Sequence, residues 1–143
     1  MKTSKCILSI CFIAVLAIMT FSSCSKSEET ENNCYFTLGI KDYSFIGSSS
    51  SSSEATIEKY AQEVENTYMK ALGMTSGNTI FLSGDYSKVA AEMKSKFDAV
   101  TLPTAPTVSG YTYSFKYVLS GCDVQKSEKT QLVDVVSKTF TNK

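Results

Sequence analysis

From Tyr111 to Leu119 the chain alternates without a break. Tyr111, Tyr113, Phe115, Tyr117 and Leu119 fall on one side, and Thr112, Ser114, Lys116 and Val118 on the other. A period of two is the signature of a strand with one buried face. Four aromatic rings on that face need a covering layer, so the fold must contain a sheet packed on one side. Cys34, Phe36, Leu38 and Ile40 alternate in the same way with Tyr35, Thr37, Gly39 and Lys41. Tyr43 and Phe45 then fall in the opposite phase, which calls for a bulge or turn near Asp42.

The covering layer is legible between these strands. Ile57, Tyr60, Ala61, Val64, Tyr68, Ala71 and Leu72 recur at helical spacing, predicting a helix from about Glu54 to Leu72 with Gly73 as its C-terminal cap. Gly47 and the six serines Ser48 to Ser53 before it read as a connector whose last hydroxyl caps the helix. They lack the glycine and lysine spacing of a phosphate loop. Ile80 to Leu82 is a short strand, and a second helix is expected from Asp85 to Ala99, capped by Ser83 or Asp85. Pro103 and Pro106 end regular structure, and Gly121 is expected to end the Tyr111 strand. Leu132 to Phe140 fits strand and helix spacing comparably, and its β-branched content favours a strand. The order β-α-β-α-β-β implies an α+β fold, with two helices on one face of a mostly antiparallel four-stranded sheet.

The N-terminal segment is of another kind. Lys2 and Lys5 precede a largely apolar run from Ile7 to Phe21, and Phe21-Ser22-Ser23-Cys24 closes it. The run would span about 22 Å as a helix, short of the roughly 30 Å of a bilayer core. The segment resembles a bacterial lipoprotein signal peptide, with Phe21 where such signals usually carry leucine. The resemblance implies removal of residues 1–23 and acylation of Cys24, so the partner is membrane lipid. Several acyl chains anchor stably where one binds only marginally. Residues 24–33, Cys-Ser-Lys-Ser-Glu-Glu-Thr-Glu-Asn-Asn, have no apolar side chain after the cysteine and read as a flexible polar tether. Their acidic run is similar to the surface-export signal of Bacteroidetes lipoproteins, which implies an outer-membrane protein exposed at the cell surface, with a periplasm-facing attachment through an ordinary polar spacer as the alternative. Residues 34–143 are then one small domain.

Without Lys2 and Lys5 the mature chain balances 12 basic against 14 acidic residues, a net charge near −2. It lacks the concentrated basic footprint of a nucleic-acid binder. Of the five cysteines, Cys6 and Cys11 leave with the signal and Cys24 carries lipid. The remaining pair, Cys34 and Cys122, reads as one disulfide in an oxidising compartment, with two buried unpaired thiols as the alternative.

The chain contains no histidine, which removes the commonest general base and metal ligand. Asp85, Glu92 and Asp98 read as a cap and a solvated helix face rather than paired catalytic carboxylates. No zinc or calcium spacing is present, and no cofactor is expected. Eight tyrosines and eight phenylalanines are the only compositional hint of recognition, most of the tyrosines lying on core sides. Tyr35 and Tyr43 are the binding candidates if they face outward. The expectation is a non-enzymatic binding or accessory domain in the cell envelope, acting on an envelope protein or a glycan. The alternatives are an envelope structural component or an enzyme inhibitor, with a hydrolase a remote third.

Overall fold

A computed structural model describes residues 32–47, 51–124 and 131–142. The expected signal peptide, Cys24, most of the tether and Ser48 to Ser50 lie outside the described residues. The elements follow the order β1 (Cys34–Gly47), α1 (Ser51–Leu72), β2 (Thr79–Leu82), α2 (Tyr86–Asp98), β3 (Tyr111–Asp123) and β4 (Val133–Thr141). The fold is α+β: two helices pack on one face of an antiparallel sheet ordered β2-β1-β3-β4. Among the described residues no helix is long and apolar enough to cross a membrane.

The helices end where local chemistry requires it. Asp85 caps α2, its Oδ1 accepting from the Lys88 N–H at 3.1 Å. At the end of α1, Gly73 adopts φ 76°, the Met74 N–H donates to Met69 O and the Gly73 N–H to Lys70 O. That pair of bonds is a Schellman closure, and glycine tolerates its left-handed residue. The serine run does not stop where expected, because Ser51 to Ser53 already belong to α1. First-turn N–H groups have no intrahelical partner, so serines cost little there.

Two irregularities set which side chains reach the core. Between Lys41 and Ser44 the β1–β3 register shifts, with Asp42 at φ 55°, so the bulge expected near Asp42 is present. Beyond it Tyr43 and Phe45 pack against the core cluster with Phe36 and Leu38. A second shift, opposite Leu119 and Ser120, makes Val135 the extra residue of β4. Phe140 then lies in the core while Asp134 faces the other way. Gly121 does not end β3, which continues to Asp123. It pairs with Phe36, whose ring fills the space a side chain would need: a Cβ on Gly121 would stand 2.6 Å from Phe36 Cδ1 and Cε1.

The core is largely aromatic. Phe115 stacks on Phe140 with ring centroids 5.0 Å apart, Tyr60 meets Phe115 edge-on at 5.9 Å, and Tyr68 stacks on Phe97 at 4.1 Å. The Tyr117 hydroxyl donates to Ala61 O at 2.8 Å, pinning α1 to the sheet. The hydroxyls of Tyr43, Tyr68 and Tyr113 are buried with no hydrogen-bond partner. Burial holds the Tyr117 hydroxyl well above the ordinary tyrosine value, with Glu65 adding to it. Tyr68 is pushed up to about 12 by burial and then by Asp98 and Tyr60. A raised folded-state value contributes stability that is complete below the unfolded value, about pH 10, and is lost as the pH rises through the folded one. Cooperative unfolding is therefore expected in alkali, with tyrosinate absorbance rising together with the loss of far-UV dichroism. Smooth titration of tyrosinate while the fold persists would contradict the buried placement.

Candidate binding face

The sheet face turned away from the helices has no described helix over it, and the strand registers place its side chains in rows. At the end where β1 begins, Phe81, Tyr35 and Cys122 form one row across β2, β1 and β3. Next come Thr79, Thr37, Ser120 and Asp134, then Gly39, Val118 and Ser137, then Lys41, Lys116 and Thr139. Beyond the bulge follow Ser44, Ser114 and Thr141, and finally Ile46 with Thr112. The face carries an exposed apolar side chain at each end, Phe81 and Ile46, with hydroxyls and two lysines between them.

Its centre carries a polar cluster. Lys41 Nζ lies 3.1 and 3.2 Å from the two carboxylate oxygens of Asp134, and the Ser120 hydroxyl donates to Asp134 Oδ1 at 2.8 Å. β1 and β4 flank β3 on opposite sides, so the Lys41 side chain must cross β3 near Val118 to make this bridge. The crossing agrees with the burial of Val118 on a face without a helix. The hydrogen bonds from Ser120 and Lys41 hold the Asp134 carboxyl below the usual carboxylate range. A lowered folded-state value contributes stability present above the unfolded value and lost as the pH falls through the folded one. Asp134→Asn should therefore show a small loss of stability in urea at pH 7, shrinking to nothing in acid. An equal loss at all pH values would assign the effect to packing instead. The second lysine, Lys116, faces Asp42 Oδ2 at 3.9 Å.

The expected binding tyrosines separate. Tyr35 lies on this face but is only 6% exposed, its ring tilted 49° against Phe81 at 4.8 Å. Tyr43 packs on the helix side, stacked on Phe115 at 6.5 Å, because the bulge turns it inward. The exposed aromatic of the face is Phe81, at 48%. Phe81 and the Lys41–Asp134–Ser120 cluster were missed in the sequence reading. The phase of Ile80 against Phe81 was a usable signal, whereas the cluster depends on register that no local pattern carries.

The disulfide expected between Cys34 and Cys122 is not formed: both thiols are free and buried. Cys34 pairs with Asp123 and Tyr35 with Cys122, so the two cysteines are one residue out of register. Successive side chains leave a strand on opposite faces, so the two thiols point away from each other. Cys34 joins the helix-side core, its Sγ 3.4 Å from Gly84 O, while Cys122 lies beside Tyr35 on the other face. Burial pushes both thiols up, with Asp123 adding to each, which keeps them protonated and weak as nucleophiles.

Asn32 and Asn33, the last residues of the expected tether, are bonded to the corner after β2. Asn33 Nδ2 donates to Gly84 O at 2.8 Å, the Gly84 N–H donates to Asn33 Oδ1 at 3.0 Å, and the Ser83 hydroxyl donates to Asn32 Oδ1 at 2.7 Å. The entry point of the chain is thus fixed beside the apolar row. A shallow depression lined by Ala91, Lys94, Ser95, Asp98 and Ala99 runs along α2, where Lys94 and Asp98 already neutralise each other at 2.6 Å. Among the described residues no group of three or more acidic, histidine or cysteine side chains could hold a metal ion.

These features define a small α+β domain with one helix-free sheet face. The chain matches no family model, no curated protein and no solved structure.

Proposed function

We propose that the protein is a lipid-anchored component of the bacterial cell envelope, held in the outer membrane through acylated Cys24, with its α+β domain displayed at the cell surface as a non-enzymatic binding module. The observation that carries the binding half is the helix-free sheet face, a broad platform of threonines, serines and two lysines around the Lys41–Asp134–Ser120 cluster. Such a face suits a protein partner better than a glycan. Sugar stacking favours near-coplanar exposed rings, whereas Tyr35 is covered and inclined to Phe81. The anchoring half rests on the Phe21-to-Cys24 sequence and the polar stretch after it.

Two variants test the two halves. Cys24→Ser should leave an unprocessed precursor, still carrying residues 1–23, that incorporates no labelled palmitate. Unchanged processing and labelling would end the anchoring reading. Lys41→Glu combined with Lys116→Glu should keep fold and anchor but lose the envelope protein that the parent chain retains after cross-linking on intact cells. Identical cross-linked products from both chains, or none from the parent, would end the binding reading.

A further inference from the structure

We propose that the occupant of the helix-free face is a second copy of this chain, packed face to face so that Ile46 of each copy fills the space over Gly39 of the other. This inference rests on the binding reading of that face and names its partner. Three observations carry it.

First, nothing within the fold requires glycine at position 39. Four of the seven glycines adopt positive φ, and a Cβ on Gly47 or Gly121 would stand 2.4 or 2.6 Å from a neighbouring side chain. Gly39 lies inside β1 without a positive φ, and a Cβ there would meet nothing within 4 Å. Glycine weakens a strand interior, and such a position often marks the close approach of another molecule. Gly39 opens onto the centre of the helix-free face, between Thr37 and Lys41 along the strand and beside Val118 across it.

Second, the same face carries a matching projection. Ile46 is 68% exposed, more than Phe81, Leu132 or Val133. The rows of Gly39 with Val118, Lys41 with Lys116, Ser44 with Ser114 and Ile46 with Thr112 follow one another along β1 and β3. A two-fold axis running across the strands, midway between the second and third rows, brings Ile46 over Gly39 of the other copy. Thr112 then meets Val118, and the lysines meet the hydroxyls of Ser44 and Ser114. The exchange is mutual, as an isologous interface requires. An axis through the lysine row would instead set lysine against lysine and leave Gly39 uncovered.

Third, the size and relief of the contact suit stacked sheets. Such sheets lie about 10 Å apart with side chains interdigitated, which places small residues opposite large ones. Four rows about 6.7 Å apart on three strands about 4.8 Å apart give a footprint of roughly 400 Å² on each copy. Side-chain relief raises the accessible area buried by the pair to about 1,000 Å², the lower bound for a specific interface.

The test places the photoreactive residue p-benzoylphenylalanine at position 46 of the full-length chain. Intact cells are irradiated and the products mapped by mass spectrometry. The expected product is a dimer of this chain alone, with position 46 joined to the tryptic peptide of residues 27–41, which contains Gly39. Adding Gly39→Thr should cut that product by about tenfold or more, the effect of losing a central contact. Gly39→Thr by itself should leave the urea unfolding midpoint equal to or above that of the parent. Undiminished dimer, or a dimer joined at another peptide, overturns the inference. A lower midpoint overturns it too, by giving the glycine a structural role. A product with a different protein overturns it and leaves the binding reading standing. So does no product at position 46 while Lys41→Glu with Lys116→Glu still loses the envelope partner. No product here and none from the parent chain removes both.

Discussion

Phe115→Ala is expected to destabilise the domain by about 3–5 kcal/mol, the usual cost of emptying a buried phenylalanine site. Phe115 is fully buried at the centre of β3, and its ring lies 5.0 Å from Phe140 and 5.9 Å from each of Tyr60, Tyr113 and Tyr117. These neighbours belong to β3, β4 and α1, so collapse around the vacancy would have to move two layers together. Against a typical total of about 5–15 kcal/mol, such a loss approaches the whole stability of a small domain. Phe115→Leu keeps most of the volume and should cost less than about 1.5 kcal/mol. Urea unfolding of the two variants checks this. A cost below about 1 kcal/mol for the alanine variant would mean that Phe115 is not at the centre of the core.

Gly121→Ala is the second large effect, by crowding rather than by vacancy. The added methyl would sit 2.6 Å from two carbons of the Phe36 ring and 3.1 Å from Tyr35 O. Phe36 is fully buried and stacked on Tyr86 at 5.8 Å, so its ring has little room to withdraw. Overpacking of this kind costs about 1–3 kcal/mol. The diagnostic is the cycle with Phe36→Leu, whose smaller side chain leaves space for the methyl. The double variant should be more stable than the sum of the single losses implies, by about 1 kcal/mol. Strict additivity would show that glycine is required there for some reason other than the ring.

The same residue shows where sequence reasoning stops. Gly121 read as the end of a strand because glycine usually punctuates structure, yet here it completes a strand by making room for a neighbour. Local patterns carried the rest of the fold well. Strict alternation exposed β3 and the first half of β1, and the change of phase at Tyr43 announced the bulge. Asp85 and Gly73 marked helix ends by their own chemistry, which needs no tertiary information. The ambiguity of Leu132 to Phe140 also has a physical source. An extra residue at Val135 flips the strand midway, so Asp134 and Phe140, which would share a face in a regular strand, end on opposite sides.

The candidate face was less legible because it is defined by pairing between strands. Whether Cys34 can reach Cys122 turns on a one-residue offset in register, which composition and spacing do not encode. Alternation separates Tyr35 from the side of Cys34 and Phe36, but its covering by Phe81 depends on which strand lies next to β1. The Lys41–Asp134 bridge links residues 93 apart across an intervening strand, and no local signal could have joined them.

The anchoring claim is tested most directly by mass spectrometry of the N-terminal tryptic peptide from protein made in its native envelope. Trypsin cuts after Lys5 and after Lys26, with no lysine or arginine between them. The account predicts the tripeptide Cys24-Ser25-Lys26 carrying a thioether-linked diacylglycerol on its sulfur and a third acyl chain on its α-amine. A single unmodified peptide running from Cys6 to Lys26, or a mature chain beginning at any other residue, would contradict it.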